Sequence, residues 1–215
     1  MFRTALLGFA VVLAAGCHVV EGNGVRGIDE RTVPGFERVH VEDGLEVEVV
    51  VGERTENKVV VSGDENIVTY VETEVRDGEL RLSMPVGSFS TRSPLKVTVE
   101  AAYLNRLEAD DGARVEASGL NAQTLALAAN GGAQVTAEGA CDRLDLGADH
   151  GARALLRGLS ARSAFVSVEG GSHAEVLVLE EIEIVATGGS TLYVAGNPPR
   201  NLRQKQADGA QVIFE

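Results

Sequence analysis

The sequence predicts an all-β chain: a parallel β-helix (solenoid) of about six short coils over residues 104–215, preceded by a strand-rich N-terminal half that caps or continues it. Three observations carry this. First, a glycine recurs at Gly112, Gly132, Gly151, Gly171, Gly189 and Gly209, at intervals of 20, 19, 20, 18 and 20 residues. Second, odd offsets from each glycine are apolar or small and even offsets mostly polar. Ala113, Ala133, Ala152, Ser172, Ser190 and Ala210 follow at one, and Val115, Val135, Ala154, Ala174, Leu192 and Val212 at three. A period of two is that of a strand with one buried face. With so few residues between equivalent positions, the chain must return to the same azimuth and stack on itself, coils ~4.8 Å apart. Third, aromatics are 4% of 215 residues, with no Trp, whereas Gly numbers 25. A core of small aliphatics suits stacked repeats that touch only their neighbours.

In chain order, Met1 to Thr4 form a short basic stretch, Ala5 to Leu13 an apolar run, and Ala14, Ala15 and Gly16 a small-residue approach to Cys17. That is the layout of a secretory signal over residues 1–16. The run is shorter than the ~20 residues needed to span a bilayer as a helix. Residues 17–32, rich in glycine and mixed charge without apolar periodicity, read as a tether. Residues 33–103 read as the N-terminal β-rich part. Val39 and Val41, then Leu45, Val47, Val49 and Val51, alternate with polar residues as a strand pair around the turn Glu42-Asp43-Gly44. Lys58 to Ser62 is a further strand, and Asp64 opens a single helical turn. Glu72 to Val75 and Glu79 to Met84 form a hairpin through Asp77-Gly78, a dipeptide suited to two positive φ angles. Pro85 to Pro94 is the segment expected to be most mobile, and Leu95 to Glu100 a strand leading to the repeats.

Within the repeats, the anchor glycines predict a tight corner in every coil, where φ must be positive. A second column, Gly119, Gly139, Gly158 and Gly196, marks the opposite corner. The last copy carries Gln204, Lys205 and Gln206 where the others are apolar, which blunts the exposed end.

Two resemblances follow from these residues. Leu13-Ala14-Ala15-Gly16-Cys17 resembles the lipobox of bacterial lipoprotein signal peptides, departing from it at Ala14, where that motif usually has Leu. The resemblance implies cleavage before Cys17, lipidation of its thiol and a membrane anchor. His18, rather than Asp, follows the cysteine, so outer-membrane sorting is expected in a host with two membranes. The runs Phe36 to Val41, Asp43 to Val49, Val61 to Asn66 and Val75 to Leu80, together with the Asp111-Gly112-Ala113 type of turn, resemble the head-GIN-domain putative auto-transporter adhesin family over Val33 to Glu215. That resemblance implies a β-helical, exported protein and supplies no catalytic residues.

Chemistry-bearing residues are sparse. The position two before each anchor holds Asp110, Asn130, Asp149, Glu169, Thr187 and Ala207, flanked by Asp111 and Asp208. Carboxylates stacked along one edge could share a Ca²⁺ at Asp110 and Asp149, but Asp and Asn also favour tight turns, and turn formation is the favoured reading. His150 and His173 fall near successive corners, where they could meet with Asp149 around a transition metal. No nucleophile motif, phosphate loop or cofactor fingerprint is present. A net charge of −13 argues against a nucleic-acid partner. Cys141 has no second thiol to pair with once Cys17 is lipidated. The expected function is a lipid-anchored, non-catalytic envelope module, adhesin-like or structural, with an envelope protein or polysaccharide as ligand. A polysaccharide-active enzyme and a calcium-stabilised scaffold are the alternatives. The sequence directs the search for a binding site to the acidic edge, the copy with His173 and the loop from Pro85 to Pro94.

Overall fold

The computed structural model describes residues 19–52, 57–196 and 198–215; the expected signal segment over 1–16 and Cys17 lie outside the described residues. The chain begins with β1 (Val19–Glu21), β2 (Arg26–Thr32), β3 (Arg38–Val41), β4 (Glu46–Val51) and β5 (Lys58–Asp64). One helical turn, α1 (Glu65–Val68), leads to β6 (Glu72–Arg76), β7 (Glu79–Ser83), β8 (Ser88–Ser90) and β9 (Lys96–Ala101). Then come β10 (Arg106–Ala109), four long strands β11 (Arg114–Ala129), β12 (Gln134–Ala148), β13 (Arg153–Val168) and β14 (His173–Ala186), and finally β15 (Thr191–Ala195), β16 (Arg200–Gln206) and β17 (Gln211–Phe214).

From β10 onward the predicted solenoid is observed, every strand pairing in parallel with its equivalents one repeat away. Residues at odd offsets from the anchors point inward: Val115, Val135, Ala154, Ala174 and Leu192 stack in register and are at most 1% exposed. Each long strand bends partway, and the ladder shifts register where Gly119, Gly139 and Gly158 fall. The second glycine column is therefore a corner, as its spacing predicts. Its cause is crowding: a Cβ on Gly119 would sit 2.1 Å from the Val51 carbonyl oxygen, and one on Gly139 2.1 Å from that of Leu120.

The N-terminal half continues the solenoid by a route the sequence reading does not give. β3 and β4 are not paired with each other, which corrects the expectation of a strand pair around Asp43-Gly44. β3 lies between β10 and β7, with Val39 opposite Leu107 and Leu80, while β4 lies between β11 and β9, with Val47 opposite Val115 and Val97. β3 and β4 are thus two sides of one coil, and β7 and β9 form another beneath it. One inward column runs Leu80, Val39, Leu107, Leu127, Leu146, Val166, Ile184, Gln204, eight layers deep. At ~4.8 Å per layer the rod is about 34 Å long.

Antiparallel strands close the first end: β5 pairs with β9 and β2, and β6 with β7 in the predicted Asp77-Gly78 hairpin. The tether expected over 17–32 is corrected here. Arg26–Thr32 pairs residue for residue with Lys58–Asp64, and the Arg31 guanidinium donates to Asp29, Thr73 and the carbonyls of Val68 and Val71. β2 is an edge strand that buries neither face fully, so it needs no apolar alternation and shows none. At the other end every residue of β16 is exposed. Gln204 and Gln206 stand in inward columns but satisfy their amides locally, Gln204 Nε2 donating to Gln206 Oε1 (3.2 Å) and Gln206 Nε2 to the Ala210 carbonyl (2.7 Å). A polar last layer discourages further strand addition.

Cys141 lies in the inward column between Ala122 and Ala161, 6% exposed. Burial, with Asp142 alongside, pushes its thiol up to about 11. At mildly alkaline pH it should resist a maleimide in the native protein and react promptly in guanidinium. Equal rates in the two states would mean that the column is open to solvent.

Candidate functional site

Every coil turns at one shared corner, and the sequence there explains its shape. Asp111 and Gly112 have φ of 51° and 77°, and the Ala113 N–H donates to the Asp110 carbonyl at 3.0 Å, a two-residue turn with both central φ positive. The same geometry recurs at Gly131-Gly132, His150-Gly151, Gly170-Gly171, Gly188-Gly189 and Asp208-Gly209, and also at Asp43-Gly44. Successive turns are laced together: Gly112 N–H donates to the Gly131 carbonyl and Gly132 N–H to that of His150, each at 3.0 Å.

The predicted site residues occupy this corner, but they are not brought together as a calcium or two-histidine site requires. Asp110 and Asp149 are separated by the coil that carries Asn130. Asp110 Oδ1 accepts from Asn130 Nδ2 (2.8 Å) and its Oδ2 meets His40 Nε2 (2.6 Å). Asp149 accepts from the His150 backbone N–H (2.7 Å) and faces His150 Nδ1 (2.9 Å). Glu169 accepts from Ser167 Oγ at 2.9 Å. Asp111 and His150 hold the first central position of their turns, a backbone role consistent with turn-forming side chains. His173 does not join His150; its Nε2 lies 3.0 Å from Glu175 Oε1 and its ring packs tilted on Tyr193. The His173 hydrogen bond, followed by that of Arg157, holds the Glu175 carboxyl below its ordinary range.

One cluster is new. His40, 8% exposed, sits outward on β3 with Arg81 of β7 on one side and Asp110 on the other. Arg81 approaches His40 Nδ1 at 3.2 Å and Glu42 at 3.8 Å, and Glu42 lies 3.5 Å from His40 Nε2. A guanidinium can only donate, so Nδ1 accepts and Nε2 carries the proton given to Asp110. Ligand atoms of His40, Glu42 and Asp110 all lie within 4.8 Å of one another. A metal on Nε2 would move that proton to Nδ1, against Arg81, so these residues fit an ion-paired strut better than a metal centre. Among the described residues no hydroxyl or thiol is hydrogen-bonded to His40.

The lowest coil replaces its two-residue turn with the loop 84–95, at the same corner. The loop expected to be mobile from its composition is fastened at several points. β8 within it pairs in parallel with β1, Val20 opposite Phe89. Met84 N–H donates to Asp43 Oδ2 (3.0 Å), and the Phe89 ring packs on Tyr70 at 5.2 Å between centroids. The buried Asp64 carboxylate accepts from the backbone N–H groups of Gly24 (3.0 Å), Arg92 (2.7 Å) and Ser93 (3.2 Å), and so caps no helix, though it precedes α1. Between loop and corner opens a groove of about 710 Å³, lined by the apolar Leu45, Met84, Phe89 and Leu95, by the exposed Val86, and by the polar Asp43, Glu46, Thr91 and Arg114. That volume is in the range of about 300–1,000 Å³ usual for ligand sites.

Burial works to raise the Asp64 carboxyl, but the hydrogen bonds from Arg92, Ser93 and Gly24 hold it below its ordinary 3.8. Its stabilisation is therefore present above the unfolded value of about 3.9 and lost as pH falls through the lower folded value. Asp64→Asn should lower the melting temperature at neutral pH and shrink the loss between neutral and acid pH. An acid limb identical to that of the parent would show that Asp64 does not supply it.

Residues 35–198 match the family described as "Putative auto-transporter adhesin, head GIN domain". The chain belongs to this family. No curated protein matches the chain. Among solved structures the head GIN chain is similar to a putative adhesin from Bacteroides fragilis (15% identity, TM-score 0.73, 91% of this chain and 100% of that one). It is similar also to a putative adhesin from Parabacteroides merdae (16%, 0.58, 92% and 99%). A third, described as a putative lipid binding protein from Parabacteroides distasonis, has 13% identity and a TM-score of 0.52 over 91% and 100%. At such identities the likeness is one of fold.

In this head GIN chain the loop from Pro85 to Pro94 was legible as a place to look, but His40, Glu42, Arg81 and the groove's opposite wall were not, because the layers that join them are distant in sequence. One signal was available: Gly44 is followed by Leu45, Val47 and Val49 at offsets one, three and five, the anchor pattern itself.

Proposed function

We propose that this head GIN chain is a lipid-anchored envelope protein that binds a polysaccharide or protein of the cell envelope without transforming it, through the groove and the corner above it. The observation that carries the reading is the groove itself. Above it every coil makes the same two-residue turn at this corner, whereas the lowest has a built loop, fastened by Asp43 and Asp64, that bounds a groove of mixed apolar and polar lining. Apolar residues with polar groups set among them can hold and orient a ligand. The family description and the putative adhesins among its structural neighbours support the same reading, and the corner carboxylates speak against hydrolysis. Asp110 and Asp149 are not opposed across a cleft, and both oxygens of each meet protein groups.

The mature chain carrying Cys17→Ser, applied to an array of envelope polysaccharides, should bind at least one saturably and release no product. Arg114→Ala on the groove rim should weaken that binding by about tenfold, the order of loss an interface arginine commonly carries. Turnover of the bound polysaccharide, abolished by Asp110→Asn, would replace this reading with an enzymatic one. The anchor is tested separately: the parent should partition with membranes and Cys17→Ser should not.

A further inference from the structure

The N-terminal segment and loop 84–95 together form an exposed ribbon, and its sidedness is informative. In β1 and β8 alternate residues differ in burial: Val20 and Phe89 are half-buried, Phe89 packing on Tyr70, while Val19 and Ser88 are exposed. Val19 is 51% exposed and Val86, two residues before Ser88, is fully exposed at 108%. Both valines are thus exposed on a ribbon that is fastened, not frayed. Asp64 fastens this one, gripping Gly24 on the β1 side and Arg92 and Ser93 on the β8 side. Arg26 and Arg92 are exposed beside it, as is the acidic Glu21.

Covalent geometry supplies the occupant. Cys17 lies two residues before Val19, so its Cα is within about 7.6 Å of that of Val19. A lipid on Cys17 therefore enters the bilayer next to this ribbon, with no tether to carry the body away. We propose that the exposed side of the β1–β8 ribbon at Val19, together with the adjoining bend at Val86, rests on the bilayer that holds the Cys17 lipid. The proposal builds on the lipid-anchor reading above. Valines enter the apolar boundary and the neighbouring arginines meet lipid phosphates, while the last coil points away, seven layer spacings of about 4.8 Å distant. It follows that the groove, which shares Val86, opens at the membrane surface, so its ligand is one presented there.

The absence of Trp from the chain makes the test direct. Val86→Trp and, at the far end, Phe214→Trp are each made in the full chain, purified with its lipid and reconstituted into phosphatidylcholine vesicles with brominated acyl chains. Flotation reports the anchor, and Trp emission reports the face. The expected result is that both variants float, that Trp at 86 shifts to the blue and loses most of its emission, and that Trp at 214 is unquenched. Flotation with equal emission from both overturns the contact face and leaves the anchor standing. Failure to float overturns the anchor and the contact face with it.

Discussion

Gly139→Ala should be among the most damaging single substitutions in this protein, costing upwards of about 4 kcal/mol, a range reached only by severe disruptions. The new Cβ would lie 2.1 Å from the Leu120 carbonyl oxygen and 2.8 Å from both its carbonyl carbon and its nitrogen. Those atoms belong to the backbone of the coil below, which is fixed by its own ladder on both sides, so no side-chain rotation relieves the clash. The control is Gly132→Ala. Its φ of 76° is positive like the 138° of Gly139 but lies close to the left-handed region that alanine can occupy, and nothing lies within 4 Å of the added methyl, so only the left-handed penalty of about 1–2 kcal/mol applies. Urea denaturation of the two variants separates the effects, the midpoint falling much further for Gly139 at constant slope. Equal losses would mean that conformation, not approach between coils, selects glycine at the second corner.

The second large effect is expected from Leu146→Ala. Leu146 is 1% exposed and sits midway in the inward column, between Leu127 below and Val166 above. Truncation removes contacts to both neighbouring coils and leaves a cavity that stiff parallel ladders cannot close, a loss of about 2–5 kcal/mol. In a one-dimensional stack the damage also divides the molecule, since each coil touches only its neighbours. Amide exchange should therefore accelerate most in β11, β12 and β13 while the capped first end stays protected. Leu202→Ala, at a residue 62% exposed on the last coil, should change stability by less than about 0.5 kcal/mol. Uniform acceleration through all strands would show instead that the solenoid unfolds as one unit.

The accuracy of the sequence reading follows the distance over which each signal acts. The turns Asp111-Gly112, His150-Gly151 and Asp208-Gly209 were legible because positive φ is a local demand that few residues meet cheaply. The inward valines and alanines were legible because strand periodicity is local too. β2 was not, since an edge strand with both faces half wet leaves no alternation to find. The fastening of the loop 84–95 was not legible, because it comes from Asp43, Asp64 and β1, none adjacent to it in sequence. The same holds for the candidate site. Asp110 was picked from its column, but its partner His40 stands 70 residues away.

From its sequence alone this protein was determined to be an all-β solenoid with small inward columns, glycine corners and a polar final coil. Those properties rest on backbone conformation and side-chain period, which repeat every 18 to 20 residues and can be counted. Only the tertiary structure decided that β3 and β4 are the next coil down, that β7 and β9 lie beneath them, and that 26–32 is a strand. Parallel neighbours are joined through hydrogen bonds and not by chain continuity, so an insertion of any length can separate layers that touch. Gly44 and Gly112 occupy adjacent coils although 68 residues apart. That same insertion builds the groove and the ribbon, which places the candidate site where the repeat is interrupted.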